Sequence, residues 1–387
     1  MDLTERLYYN DCYLREFTAN VVETADEGRR VYLDRTAFYP TSGGQPFDLG
    51  TLDGSAVREV VDEEERIAHV LESPLNRGEV EARIDWSRRF EHMQQHTGQH
   101  LLSAVLVELF GIPTISFHMG AISSTIDLGV GSLDASQIEK AEERCAEIVA
   151  EARPVSITFE DSSTDLGLRK ASARTGELRI VSIDGLDRSA CGGTHVRSTS
   201  EIGAVLLRKL EKIRGNVRIE FVCGGRALRA ARSDFRQVSE IARRFSSSIE
   251  DAAACVAAQL EKMQALEKTC RRLSVELATR EGLELYAATA PDAEGFRRVT
   301  ERGAIGDATR AKAQAFAGGS KAVFLAVCDD PPSLLLAASV DSGIHAGDRV
   351  KSAVTGAGGR GGGNQTLGQG SVPTLEALQA MLSALGV

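Results

Sequence analysis

From the first residue to about Ile84, apolar positions fall in short strand-like runs. VYLDRTAFYP, GTLDGSAVREVVD and RIAHVLES are separated by Gly, Pro and Asp-Gly turn signals. Short β-rich runs punctuated in this way predict a small β-barrel or β-sandwich. At Asp85 the pattern changes. Asp85 or Ser87 can cap a helix. Phe90, Met93, Leu101, Leu102, Val105, Leu106 and Leu109 then recur at helical spacing until Gly111 and Pro113 stop it. Strand-like TISFHMG and SSTIDLGV follow, then a helix from about Ser136 to Ala152, closed by Pro154. Next come VSITFE, a second short helix near Thr164–Arg174, ELRIVSI, a loop at CGGTH, and two strands, AVLLRKLEKI and VRIEFVC. Strands and helices mix without regular βαβ alternation, so the fold class is α+β.

Beyond Gly225 the pattern is helical to about Glu281, with no Pro and no Gly until Gly282. A run of that length predicts an extended helix or an antiparallel pair, used as a spacer or a dimer seam. The last portion reads as a small α/β domain. KAVFLAVCDD and SLLLAASV are buried strands, AGDRVKSAV is a helix, GAGGRGGGNQTLGQG is a long glycine-rich loop, and TLEALQAMLSAL is a final helix. The division is therefore 1–85, β-barrel-like; 86–225, α+β; 226–290, a helical spacer or homodimerisation region; and 291–387, small and α/β.

Composition narrows the class. No run approaches the ~18 apolar residues of a membrane span, and the first residues carry no signal-peptide pattern. The seven cysteines are odd in number and widely spaced, which fits reduced thiols and a cytoplasmic location. A net charge of −10 argues against a chain coated in nucleic-acid-binding charge, but a local basic face survives it. Arg208, Lys209, Lys212, Arg214 and Arg218 form such a group, interrupted by Glu211. Arg226, Arg229, Arg232, Arg236, Arg243 and Arg244 continue it past Asp234, where a solvated helical face is an equal reading.

Candidate chemistry sits in two short motifs. His96 and His100 are four apart on the first helix, so both imidazoles share one face and can reach one ion at about 2.0–2.1 Å each. Cys191-Gly-Gly-Thr-His195 puts a thiol and an imidazole on a tight loop that two glycines permit. A donor set of three imidazoles and one thiolate suits zinc rather than calcium or magnesium. His92 extends the histidine stripe. The outer two are about 12 Å apart along the axis, so one ion takes only one adjacent pair, and spacing leaves both pairs open.

QHTGQHLLSAVL and SACGGTHVRSTSEIGAVLLRKLEKIRGNVRIEFVCG resemble the editing domain of alanyl-tRNA synthetases and its free-standing AlaX relatives. The resemblance implies that His96, His100, Cys191 and His195 hold Zn2+ and form the catalytic set. His92 is then a second-layer or tRNA-facing group or, more plainly, a helix surface residue. AFYPTSGGQPFDLG (37–50) resembles the glycine-rich segment of the preceding β-domain. Gly43, Gly44 and Gln45 become candidates for substrate contact, although a plain β-turn is the simpler local reading. SFHMGAISSTIDL (116–128) resembles the strands beside the family's amino-acid pocket, making the Thr114 and Ser116 hydroxyls candidates to recognise serine. GDRVKSAVTGAGGRGGGNQTLGQG resembles the DHH-associated domain that ends the synthetases. It lacks an Asp-His-His motif upstream and so is expected to bind, with Arg360 among its tRNA contacts.

The resemblance implies an ATP-independent aminoacyl-tRNA ester hydrolase that clears mischarged alanine tRNA for translation fidelity. No class II synthetase core lies in these residues, so charging is not expected. Serine is the expected substrate amino acid, because its hydroxyl offers a handle that glycine lacks. Two alternatives stand beside it: hydrolysis of another mischarged or D-aminoacyl tRNA, and a zinc-containing tRNA-binding protein without turnover.

Overall fold

A computed structural model describes residues 3–75 and 78–385. The chain divides into two compact units, Met1–Glu240 and Ile241–Val387, and mixes several sheets with seven α-helices among the described residues. In the first unit six strands close into a barrel, in the order Glu16–Ala25, Arg30–Leu33, Arg66–Leu71, Ser55–Glu63, Gly50–Leu52 and Glu79–Ile84. Burial alternates along the last of these strands. In Glu79–Ile84 the inward residues are Val80, Ala82 and Ile84, and they join Leu33, Phe38, Leu52 and Ile67 in the barrel core.

Asp85 caps the next helix, Trp86–Phe110, by accepting from the backbone N–H of Arg88, and left-handed Gly111 ends it. Nearly every residue from His92 to Leu106 is buried, as expected of a helix covered on all sides. It packs with helix Ala135–Ala150 against a four-stranded antiparallel sheet. That sheet runs Val205–Ile213, Asn216–Cys223, Ser124–Leu128, Thr114–Met119. A second sheet of three strands, Val155–Asp161, Glu177–Ile183 and Asp187–Ala190, carries the CGGTH loop at its end. An ion pair ties the helix to the barrel. Arg89 bonds Asp48 through Nε at 3.0–3.1 Å and donates to the carbonyls of Cys12 and Ala37. Its side chain and that of Asp48 are 0% and 1% exposed.

In the second unit the helix Ala252–Ala288 leads to a five-stranded sheet. Its order is Arg297–Arg302, Ala322–Asp329, Pro332–Ala338, Leu367–Ser371, Arg360–Gly363, with one parallel pair at the first edge. Helices Asp307–Ala317, Ala346–Gly356 and Leu375–Leu385 complete it.

Two expectations are corrected. Residues 164–174 form turns, not a helix, because local polar side chains capture the backbone donors: Asp161 accepts from Ser163 and Asp165 from Gly167. The glycine-rich stretch is an antiparallel strand pair, not a loop. A Cβ at Gly370 would lie 2.3 Å from Val354, and one at Gly368 2.5 Å from the Ala346 carbonyl, so glycine lets a helix lie directly on the strands. The run after Gly225 forms two helices, Gly224–Phe245 and Ala252–Ala288, the first ending at Ser246, whose φ is +51°.

Candidate metal centre

Helix Trp86–Phe110 presents His96 and His100 from successive turns, their rings 5.5 Å apart. The loop after Asp187–Ala190 brings His195 to 4.7 Å from the His96 ring and 4.8 Å from that of His100. Donor atoms of His96, His100, Cys191 and His195 all lie within 4.8 Å of one another. Cys191 Sγ is 3.3 Å from His96 Nε2 and 3.4 Å from His195 Nε2. Sulfur and nitrogen bound to one tetrahedral zinc are about 3.5 Å apart. The donor set and its spacing fit that ion.

A second layer fixes the rings. His96 Nδ1 faces Gln45 Oε1 at 2.8 Å, His100 Nδ1 faces Asp187 Oδ2 at 2.9 Å, and His195 Nδ1 faces Thr97 Oγ1 at 3.1 Å. Histidine ligands that bond through one nitrogen and anchor through the other are characteristic of metal centres. Asp187 also accepts from Arg169 Nε at 2.6 Å and from Ser189. Burial alone would raise the Cys191 thiol, but the three imidazoles hold it well below its ordinary value, toward the thiolate that metals bind. Burial lowers His195 to about 3. Burial would also lower His100, yet Asp187 and Cys191 hold it at about 9. Gly193 is required by packing, since a Cβ there would sit 2.2 Å from His96 Cε1.

The four donors stand beside a cavity of about 840 Å³, lined by His96, His100 and Cys191. Gly43, Thr114 and Ser116 also line it. Gly44 and Gln45 do not. Gly44 backs onto the Phe117 carbonyl, and fully buried Gln45 spends its amide on His96 and Thr194. Gln45 thus braces His96 and Thr194 from behind the cluster, outside the cavity lining. His92 is no surface residue: it is 2% exposed, its Nδ1 has no hydrogen-bond partner, and burial lowers it to about 3. None of Arg208, Lys209, Lys212, Arg214 and Arg218 lines the cavity. Arg208 pairs with Asp234, Lys209 with Glu211 and Arg218 with Asp127. Lys212, Arg214 and Arg360 are exposed. Arg226 is buried against Glu91 and the Gly120 carbonyl.

Asp187, Thr97 and Arg169 were not anticipated from sequence. Asp187 lies four residues before Cys191, but nothing in DRSACGG marks it as the partner of His100.

Fold and site define an α+β protein built around a His/Cys cluster able to hold a metal beneath an open cavity. Residues 178–220 match the family described as the threonyl and alanyl tRNA synthetase second additional domain. The chain is 37% identical over 263 residues to the alanyl-tRNA editing protein AlaX-L of Pyrococcus horikoshii, covering 64% of this chain and 63% of that protein. It is 31% identical over 307 residues to the alanyl-tRNA editing protein Aarsd1 of Mus musculus, covering 73% and 74%. To the alanyl-tRNA editing protein AlaX-M of Methanosarcina mazei it is 35% identical over 242 residues, 57% of this chain and 96% of that one. The chain belongs to the family of alanyl-tRNA editing proteins.

Proposed function

We propose that the chain is a trans-editing aminoacyl-tRNA hydrolase that deacylates mischarged tRNA(Ala), with Ser-tRNA(Ala) its main substrate and zinc at His96, His100, Cys191 and His195. One observation carries this: three of the four clustered donors line an open cavity large enough for an aminoacyl-adenosine. The alanine tRNA comes from what the relatives are named for.

When bound, the ion supplies positive charge beside the scissile ester. The protein's own side chains do the positioning. Gln45 and Asp187 accept the Nδ1 protons of His96 and His100, so each Nε2 lone pair points to the common centre. Thr114 Oγ1 is held at 2.6 Å by Ser103 Oγ, which accepts from the Gln99 amide at 2.8 Å. That ordered hydroxyl is the reader of the serine side chain. Ser116 is less suited, because its hydroxyl is committed to Asp127 at 2.7 Å. Lys212, Arg214 and Arg360 are the candidates for contact with the tRNA body. A homodimer through the long helix belongs to the same reading, supported by about half-exposed Met263, Leu266, Leu273 and Leu277. Among the described residues no helix is long and apolar enough to cross a membrane.

A second reading, a zinc-containing tRNA-binding protein without turnover, is favoured by the donor count, since four ligands complete a tetrahedron. Hydrolysis of Ser-, Gly- and Ala-tRNA(Ala), with and without chelator, decides between them. The proposal expects Ser-tRNA(Ala) to be cleaved faster than Ala-tRNA(Ala), and the rate to vanish on chelation. Equal rates would remove editing. No cleavage, with unfolding on chelation, would establish the binding protein.

A further inference from the structure

Donors carried on a glycine loop need its ends held, because glycine supplies no stiffness of its own. Cys191 and His195 are separated by Gly192, Gly193 and Thr194. Gln45 holds the Thr194 hydroxyl. At the entry to the loop, Cys191 N–H donates to the Arg179 carbonyl at 3.0 Å. The side chain of the same residue returns the contact, with Arg179 Nη1 donating to the Cys191 carbonyl at 2.6 Å. Arg179, on the strand Glu177–Ile183, thus brackets Cys191 through both backbone and side chain.

The guanidinium reaches further. Its Nε donates to the Tyr9 carbonyl at 3.0 Å, and Nη2 lies 3.8 Å from Cys12 Sγ. Tyr9 and Cys12 belong to the segment ahead of the barrel strand Glu16–Ala25. The backbone N–H of His195 donates to the same Cys12 sulfur. Just past it, Arg197 N–H donates to Tyr13 Oη at 3.1 Å. Both ends of the loop are therefore tied to residues 9–13, the His195 end directly and the Cys191 end through Arg179.

Charge sets Arg179 apart. Three arginines are buried among the described residues. Arg89 pairs with Asp48 and Arg226 with Glu91. Arg179 is 8% exposed, and its partners are two carbonyls and a thiol, with no carboxylate among the described residues. A buried cation without a counter-ion is destabilising. It is also badly placed on charge alone. Metal binding raises the local charge whether Cys191 starts as thiol or thiolate, so a neighbouring cation opposes it. Geometry gives the reason for a guanidinium here. A planar fork meets three acceptors at once, which an ammonium on a flexible stem does not.

We propose that Arg179 is a positioning residue for the metal centre, a clamp that holds the Cys191 carbonyl against the segment ahead of the barrel. The Cys191 thiol and the His195 imidazole are thereby kept facing His96 and His100. The inference rests on the reading of those four residues as a metal site, and not on the substrate assigned to it. Arg179 lines the cavity beside Cys191 and Gly192, so a small guanidinium from solvent can reach its place.

The test uses the full-length protein with Co2+ in place of zinc. Affinity is read by competition with a chromophoric chelator, and the thiolate-to-cobalt charge-transfer band reports on Cys191. Arg179→Met is expected to weaken binding tenfold or more, as for other outer partners of a ligand, and to lower the band at saturation. Loss of a cation alone predicts tighter binding, so the sign of the change separates the clamp from simple electrostatics. Arg179→Lys keeps the charge and is expected to bind threefold or more weaker than wild type. Arg179→Ala is expected to regain affinity when methylguanidinium is added, which a general loss of packing would not show. Arg174→Met, at an exposed arginine that also lines the cavity, is the control for charge and is expected to bind no more weakly than wild type. Urea unfolding at saturating Co2+ checks that each variant is folded, and Arg179→Lys carries the test if Arg179→Met is not. Wild-type or tighter affinity with full band intensity in a folded Arg179→Met or Arg179→Lys protein would overturn the clamp and leave the metal reading standing. No cobalt binding by the wild-type protein would overturn both.

Discussion

Asp187 gives the sharpest test of how the ligand set is held. Its Oδ2 accepts the Nδ1 proton of His100 at 2.9 Å, while Oδ1 accepts from Arg169 Nε at 2.6 Å. Ser189 Oγ adds a third donor at 3.0 Å from Oδ2. Asp187→Asn keeps the shape but leaves a single acceptor oxygen. In either orientation its amide N–H meets another donor, so His100 or Arg169 is left without an acceptor in a buried site. Removing such an outer partner lowers metal affinity 10- to 100-fold, about 1.4–2.7 kcal/mol. The same range follows independently from losing one charge-assisted hydrogen bond, about 1.5–3 kcal/mol. Equilibrium competition for zinc against a chromophoric chelator, at one neutral pH, measures it directly. Thermal unfolding at saturating zinc separates loss of affinity from loss of fold. An Asp187→Asn protein that holds zinc as tightly as wild type would refute the reasoning, because His100 would then need no carboxylate behind it.

Gly193→Ala is expected to cost at least tenfold in zinc affinity, since the new methyl would sit 2.2 Å from His96 Cε1; zinc content after dialysis reads this, and full stoichiometry would contradict it. Asp48→Ala leaves the buried Arg89 guanidinium without its counter-charge, with only the Cys12 and Ala37 carbonyls to accept from it, a loss of about 3–5 kcal/mol to be measured by urea unfolding; a change below about 1 kcal/mol would show the pair to be dispensable. His69 is buried in the barrel, with Nε2 at Thr36 Oγ1 and Nδ1 at the Val31 carbonyl, and burial lowers it from 6.5 to about 4. Between those values the unfolded chain binds the extra proton. Stability is therefore complete above pH ~6.5 and falls by about 3 kcal/mol as pH drops to ~4. His69→Gln is expected to flatten that slope in equilibrium unfolding, and an unchanged slope would place the acid sensitivity elsewhere.

The four clustered donors were legible because both motifs are local. The helical repeat offered His92/His96 and His96/His100 alike and the family resemblance chose the second, while Cys191 and His195 need only a short glycine loop. The layer behind them was not legible, because its contacts depend on packing between distant segments. Gln45 reaches His96 across 51 residues and Thr194 across 149. The pairing of one basic run was hidden for the same reason. The basic run at Arg208–Arg218 looked like an open face, yet Arg208 finds Asp234 26 residues away and Arg218 finds Asp127 91 residues away. The helix expected near Thr164–Arg174 failed because polar side chains satisfied the backbone first. The glycine-rich stretch became strands because bare backbone is what the overlying helix fits. His92 belonged to the right helix, but sequence periodicity did not place it inside.

Gln45 sits at the end of a tight turn that the barrel lends to its neighbour. Its carbonyl orients a ligand on the helix, and its amide steadies Thr194 in the opposite loop. The barrel and the α+β portion are consequently not separable parts joined by a tether. Trimming the chain back to the ligand-bearing half would leave the His96 imidazole free to swing, and both halves of the cage would loosen together.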